Sequence, residues 1–293
     1  IKILLFAVFG MILTTSRQQC AIIGLFLVSL CIRYTYLNKK GSWKVLCIIL
    51  SFVLSIITIL SGFALDSDFT QTSKYHAMTR GVLFQSSNPE QTLKEFGIAE
   101  EYTLLTDTSF YSKYPFVQED TTMLQEGFYD KYTETDIALY YLKHPVSFIG
   151  MLDLSVKAAF NIRRDYCGNY EKSAGRMEKS KSLFWSGWST FKTRSAPNTI
   201  GYLVILVVAC FLLYGRQRTL ENEEGFSRRV YFDMMIFIIC VAISQVFITI
   251  VRSGDAEFSQ HIFLTGLGID LLSYFVFAEI LHKLNIIEEG GKK

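Results

Sequence analysis

Residues 44–64 read KVLCIILSFVLSIITILSGFA: twenty-one positions whose single charge, Lys44, stands at the edge. A helix needs roughly 20 apolar residues to cross about 30 Å of hydrocarbon, and in lipid the backbone must satisfy its own polar groups. This stretch therefore reads as a transmembrane helix. Five further blocks repeat the pattern, at 1–14, 21–37, 199–214, 230–251 and 261–281. Half of the residues are hydrophobic and mean hydropathy is +0.27. The apolar residues are gathered into blocks and not spread in amphipathic periods, so the expected fold is an all-α polytopic membrane protein of about six spans. Net charge is only +2, and no global basic field argues for nucleic acid.

The domain plan follows. Residues 1–64 hold three spans, 65–198 form a mostly helical cap, 199–281 hold three more spans, and 282–293 are a tail. The block at 1–14 is short and begins at Ile1, which points to a longer polytopic protein of which this chain is a portion. Basic residues set the orientation. Arg33, Lys39, Lys40 and Lys44 lie in one turn, Arg216, Arg218, Arg228 and Arg229 in another, and Lys283, Lys292 and Lys293 in the tail. All three segments fall on the same side, so they are expected to be cytoplasmic and the loop 65–198 to lie outside. All four prolines lie in that loop, and the three tryptophans (Trp43, Trp185, Trp188) sit near span boundaries. Of the six cysteines only Cys167 is in the loop; with no CxxC spacing, they read as apolar fillers and one loop thiol.

Within the loop, Asn88-Pro89-Glu90-Gln91 predicts a helix start, with a cap residue and then proline at the first turn, ending at Gly97. A second helix is expected from about Thr133–Thr135 to before Pro145, and a third over 145–162 with an Asp153–Lys157 pair four residues apart.

Candidate chemistry lies in the outward turns. Arg252, Asp255, Glu257 and His261 offer a cation, two carboxylates and an imidazole at a water–lipid boundary, a set able to hold a phosphate and a sugar. The competing reading is a solvated turn between two helices. Arg17, with Gln18 and Gln19, can grip a lipid phosphate or be an ordinary hydrophilic turn. Asp66 and Asp68 can bind a divalent ion, act as a base, or simply end a helix. Asp270 falls nine residues beyond His261, about 13 Å along the helix and near the bilayer midplane, where a carboxylate needs a partner or a wet cavity. Ser244 and Gln245 are the expected partners, in a packing or proton-holding role, with substrate contact as the alternative. There is no Gly-rich phosphate loop, nucleophile elbow or His/Cys metal spacing.

The strings NPEQTLKEFG (88–97), YLKHP (141–145), Asn161-Ile162-Arg163 with GNYEKSAG (168–175), and GDAE (254–257) with His261 resemble the WsfD-type hexose transferases of bacterial surface-glycan biosynthesis. These are polytopic glycosyltransferases of the C-type fold, and the resemblance covers most of 65–281. It implies a C-terminal portion of such an enzyme. The reaction would be hexose transfer from a polyprenyl-phosphate-linked donor to a cell-surface glycan acceptor, at the outer face of the bacterial plasma membrane. Arg252, Asp255, Glu257 and His261 match the family string, with Asp255, Glu257 and His261 as catalytic candidates and Arg252 as a phosphate candidate. C-type enzymes usually carry a catalytic carboxylate in their first outer loop, which this chain lacks, so the general base stays unassigned. A divalent metal ion can share the work, without a secure ligand set. The alternatives are a non-catalytic scaffold in glycan assembly or export, and a transporter, for which Asp270 is the support.

Overall fold

A computed structural model of the chain describes residues 2–37, 41–63, 67–111, 121–161, 170–215, 223–256 and 258–290. Among these there is no strand. The helices are α1 Lys2–Thr15, α2 Ala21–Leu37, α3 Gly41–Phe63, α4 Ser67–His76, α5 Pro89–Glu95, α6 Thr121–Gly127, α7 Glu134–Lys143, α8 Pro145–Ala159, α9 Leu183–Ser195, α10 Ile200–Gly215, α11 Glu223–Ser253, α12 Phe258–His261 and α13 Phe263–Gly290.

Among the described residues, each of the six expected spans coincides with a helix over most of its length. Among the described residues four helical stretches are long and apolar enough to cross a membrane: Gln18–Tyr36, Gly41–Gly62, Arg228–Ser253 and Phe263–Leu284. The other two fall short of six full spans for a geometric reason. α1 has 14 residues and α10 has 16, about 21 and 24 Å at helical rise, below the roughly 30 Å core. α10 reaches spanning length only together with the end of α9, across a 105° bend.

Local signals in the cap act as the sequence predicts. Asn88 caps α5 by accepting from the Gln91 N–H at 3.2 Å, with Pro89 in the first turn. Gly97 ends it at φ +68°. Thr133 and Asp136 form a reciprocal capping box at the start of α7; the Thr133 hydroxyl and N–H both donate to the Asp136 carboxylate and hold it below its usual range. Lys157 pairs with Asp153 at 2.6 Å on α8.

Two buried clusters organise the molecule. One joins α1, α2 and α3 through Ala7, Ile23, Leu27, Leu50 and Leu54, and meets α11 at Val241. The other is continuous from the cap into α10, α11 and α13. Its cap part is aromatic, with Tyr75, Phe128 and Tyr132 almost fully buried. Phe128 meets Tyr75 at 6.0 Å and Tyr132 at 5.5 Å between ring centres. Burial pushes the Tyr132 phenol well above its ordinary value, with nearby Tyr129 adding to the rise.

The chain order puts the ends of α3, α11 and the start of α13 beside the cap. Arg33, Lys44, Arg228, Arg229 and Lys283 lie toward the opposite end. There Arg33 Nε meets Asp233 Oδ2 at 2.8 Å, and Arg228 lies 3.7 Å from Glu279.

Candidate functional site

The cap end of α11 is where charges from distant parts of the chain converge. α11 ends at Ser253, and Gly254 turns the chain at φ +56°. A side chain there has no room: a Cβ would lie 2.6 Å from the Gly81 nitrogen and 2.8 Å from the His76 carbonyl oxygen. Residues 77–82 form a π-helical turn that continues α4. This wide turn carries Arg80 directly against the Gly254 loop, and the Asp255 N–H donates to the Arg80 carbonyl at 3.4 Å.

Side chains reinforce that backbone contact. Arg80 grips Asp255 with two bonds, Nε to Oδ1 at 2.7 Å and Nη2 to Oδ2 at 3.1 Å. Its remaining nitrogen, Nη1, donates to Asp107 Oδ1 at 3.0 Å. Asp107 sits in the left-handed region at φ +59° and its side chain is 56 % exposed. Burial raises the Asp255 carboxyl above the usual range, while Arg80 opposes the rise and Asp107 adds to it. Beside this pair the Tyr141 hydroxyl is buried without a hydrogen-bond partner among the described residues, and burial raises its proton affinity.

A second cluster adjoins the first. Arg252 Nε donates to Glu134 Oε1 at 3.0 Å, and its Nη1 donates to Gln18 Oε1. Gln18 Nε2 reaches the Gly62 carbonyl at 2.9 Å. His261 Nδ1 lies 3.2 Å from Gln19 Oε1, and Gln245 Nε2 donates to the Gln19 carbonyl at 3.0 Å. Arg17 is exposed and its Nη1 donates to the Gln260 carbonyl at 3.2 Å. The turn 17–19 is thus tied to the ends of α3, α11 and α12.

The structure brings Arg252, Asp255 and His261 to one end of α11 and sets Arg17 beside them. Glu257 and Asp66 lie outside the described residues; Asp68 is in α4, and its side chain is likewise outside them. Asp270 differs from its expected setting in its partner. Lys192 of α9, 3 % exposed, meets it at 2.8 Å, with Trp188 Nε1 at 3.3 Å. Ser244 instead bonds the Val241 carbonyl, and Gln245 serves Gln19. Asp270 is seven residues into α13, about 10 Å from its cap-side end.

Sequence reasoning missed Arg80, Asp107, Glu134 and Tyr141. The one local sign was a paired pattern, Arg80-Gly81 and Gly254-Asp255, opposite charges each beside a glycine. His76 and His144 both have partners: the Phe110 N–H donates to His76 Nε2 at 3.0 Å, and His144 Nε2 lies 3.2 Å from Glu95. Among the described residues no group of three or more His, Cys, Asp or Glu side chains is arranged to hold a metal ion.

These features define an all-helical membrane protein with a polar site where its cap meets its spans. The chain belongs to the family described as the YfdI N-terminal transmembrane domain, which matches it over residues 1–293. That description is of an N-terminal domain, where the sequence resemblance implied a C-terminal portion. No curated protein and no solved structure matches the chain.

Proposed function

We propose that the protein is a membrane glycosyltransferase, or the membrane part of one. It moves a hexose from a polyprenyl-phosphate-linked donor to a cell-surface glycan at the outer face of a bacterial plasma membrane. The observation that carries the reading is the gathering of Arg80, Arg252 and Arg17 with Asp255 and His261 at the cap ends of α11 and α12. A phosphate on a membrane-anchored lipid travels at that level, and guanidinium groups are its natural partners. Membership in the family described as the YfdI N-terminal transmembrane domain agrees with the membrane setting that this reading needs. The basic residues at the opposite end favour placing that end in the cytoplasm and the cap outside.

In this reading the acceptor oxygen bonds to the anomeric carbon as the bond from that carbon to the donor phosphate breaks. The acceptor proton passes to a carboxylate, and the phosphate leaves with its charge facing Arg252 and Arg17. Asp255 is already held by two bonds from Arg80, which suits it to orient that arginine. Asp107 presents a more exposed carboxylate on the same guanidinium. His261 stays a candidate for proton handling beside Gln19.

The test is sugar transfer from a polyprenyl-phosphate hexose by the full-length protein in membranes. Arg252→Ala and His261→Ala, each checked for intact folding, are expected to lower transfer by at least about tenfold, the loss of one charged contact of roughly 1.4 kcal/mol or more. Unchanged transfer in both removes the site assignment. Absence of transfer by the folded wild type, with glycan assembly restored in cells, marks a scaffold instead.

A further inference from the structure

α9 lies at an unusual level. Its last residues bend by 105° into α10, so if α10 stands along the membrane normal, α9 lies close to the membrane plane. The start of α10 is itself sunk among the spans, because Tyr202 Oη lies 3.0 Å from Ser273 Oγ of α13. α9 reaches the same depth. Lys192 and Trp188 both bond Asp270, about 10 Å below the cap-side end of α13. The Lys192 ammonium also sits 5.5 Å from the centre of the Phe160 ring. The helix is therefore held level with the first third of a spanning helix and does not rest on top of the bundle.

Its circumference is divided. At about 100° per residue, Phe184, Trp188 and Phe191 fall within an arc of about 60°. They are 82 %, 58 % and 57 % exposed, and the last two rings stack at 5.7 Å. Lys192 marks the side packed against protein. Thr193, about 180° from Phe184 on the helical wheel, is exposed on the opposite side, and Arg194 is exposed as well. The aromatic strip leads into the outward face of α10, where Val204, Ile205, Val208 and Leu212 are 49 to 71 % exposed. For a helix that contributes to a span, such a face is covered by lipid.

We propose that α9 is an in-plane interfacial helix. Its Phe184–Trp188–Phe191 strip is embedded at the boundary between headgroups and acyl chains of the cap-side leaflet, and the Lys192–Asp270 pair clamps it at that depth. The occupant of the strip is the bilayer itself. Aromatic rings with one polar handle favour that boundary, and the polar back of the helix then meets headgroups and water. The inference is independent of sugar transfer.

The experiment uses the full chain with Trp43→Phe and Trp185→Phe, reconstituted in phosphatidylcholine–phosphatidylglycerol vesicles, so that Trp188 is the sole emitter. Lipids brominated near the glycerol end of the chain are expected to quench Trp188 strongly and aqueous iodide weakly. Iodide quenching without a bromolipid response overturns the proposal. Quenching by neither, which marks a strip covered by a second copy of the chain, overturns it too. A second reading guards against misfolding of the double variant. With a membrane-impermeant maleimide, Thr193→Cys is expected to label about tenfold faster than Phe184→Cys, above the unsubstituted protein, because only one faces water. Equal rates refute the orientation.

Discussion

Replacing Gly254 by alanine tests how the cap is joined to the spans. Two costs add. At φ +56° an L side chain is strained by roughly 1–2 kcal/mol. The new Cβ would also lie 2.6 Å from the Gly81 nitrogen, 2.7 Å from the Arg80 carbonyl carbon and 2.8 Å from the His76 oxygen. All three are backbone atoms, of the turn that carries Arg80 or of the end of α4 that leads into it, so no rotamer change relieves the clash. Overpacking of this kind costs typically about 1–3 kcal/mol, giving about 2–5 kcal/mol in total. Gly97 supplies the control: it is also left-handed, at φ +68°, but has nothing within 4 Å of the same added atom. Gly97→Ala is expected to show the conformational cost alone. Equilibrium unfolding of both variants in mixed detergent micelles measures the difference, expected at about 1–3 kcal/mol. If Gly254→Ala is no worse than Gly97→Ala, the close approach of the two segments is not what joins them.

Tyr141→Phe removes a buried hydroxyl that has no partner among the described residues, so stability should change by less than about 0.5 kcal/mol; a large loss means that the hydroxyl is bonded after all. For Asp255 the folded carboxyl is raised, so the folded state binds the extra proton between the ordinary carboxylate range and the raised value. Its contribution is present at low pH and lost as pH rises through the folded value. Wild type compared with Asp255→Asn should therefore lose stability as pH rises through that window, and a flat difference rejects the burial argument. Lys192→Met alone strands Asp270, whose side chain is 22 % exposed, at an expected cost of about 2–3 kcal/mol. Adding Asp270→Asn should recover most of that loss; a double variant as damaged as the single would show that the pair is not the clamp.

Parts of this molecule could be read from sequence because their causes are local or set by solvent. Residues 44–64 anticipated α3 because lipid imposes one length and one polarity on anything that crosses it. Asn88-Pro89 anticipated α5 because a cap and a proline act within one turn. The site was legible in one half only. Arg252, Asp255 and His261 stood out by clustering in a short turn. Arg80 is 175 positions from Asp255 and lay within a segment read as loop; no periodicity connects them. Asp270 was noticed for its cost in lipid, but its partner was sought on α11, because nothing in the sequence says that α9 dips beside the spans. Six apolar blocks could be counted, yet the shortness of α1 and the bend before α10 are geometric facts.

The two buried clusters have a mechanical consequence. At the cap end they meet through polar bonds: Gln18 to Arg252, Gln19 to Gln245 and His261, and Arg17 to the Gln260 carbonyl. Interdigitated side chains resist sliding, whereas a hydrogen bond between surfaces can be traded for one to water or to a bound polar group at little net change in free energy. The joint between α1–α3 and the rest of the molecule is therefore softer beside the charged turn of α11 than where Val241 packs into the first cluster. A polar molecule entering there competes for the bonds that close the seam, and it can wedge the two halves apart without disturbing either core.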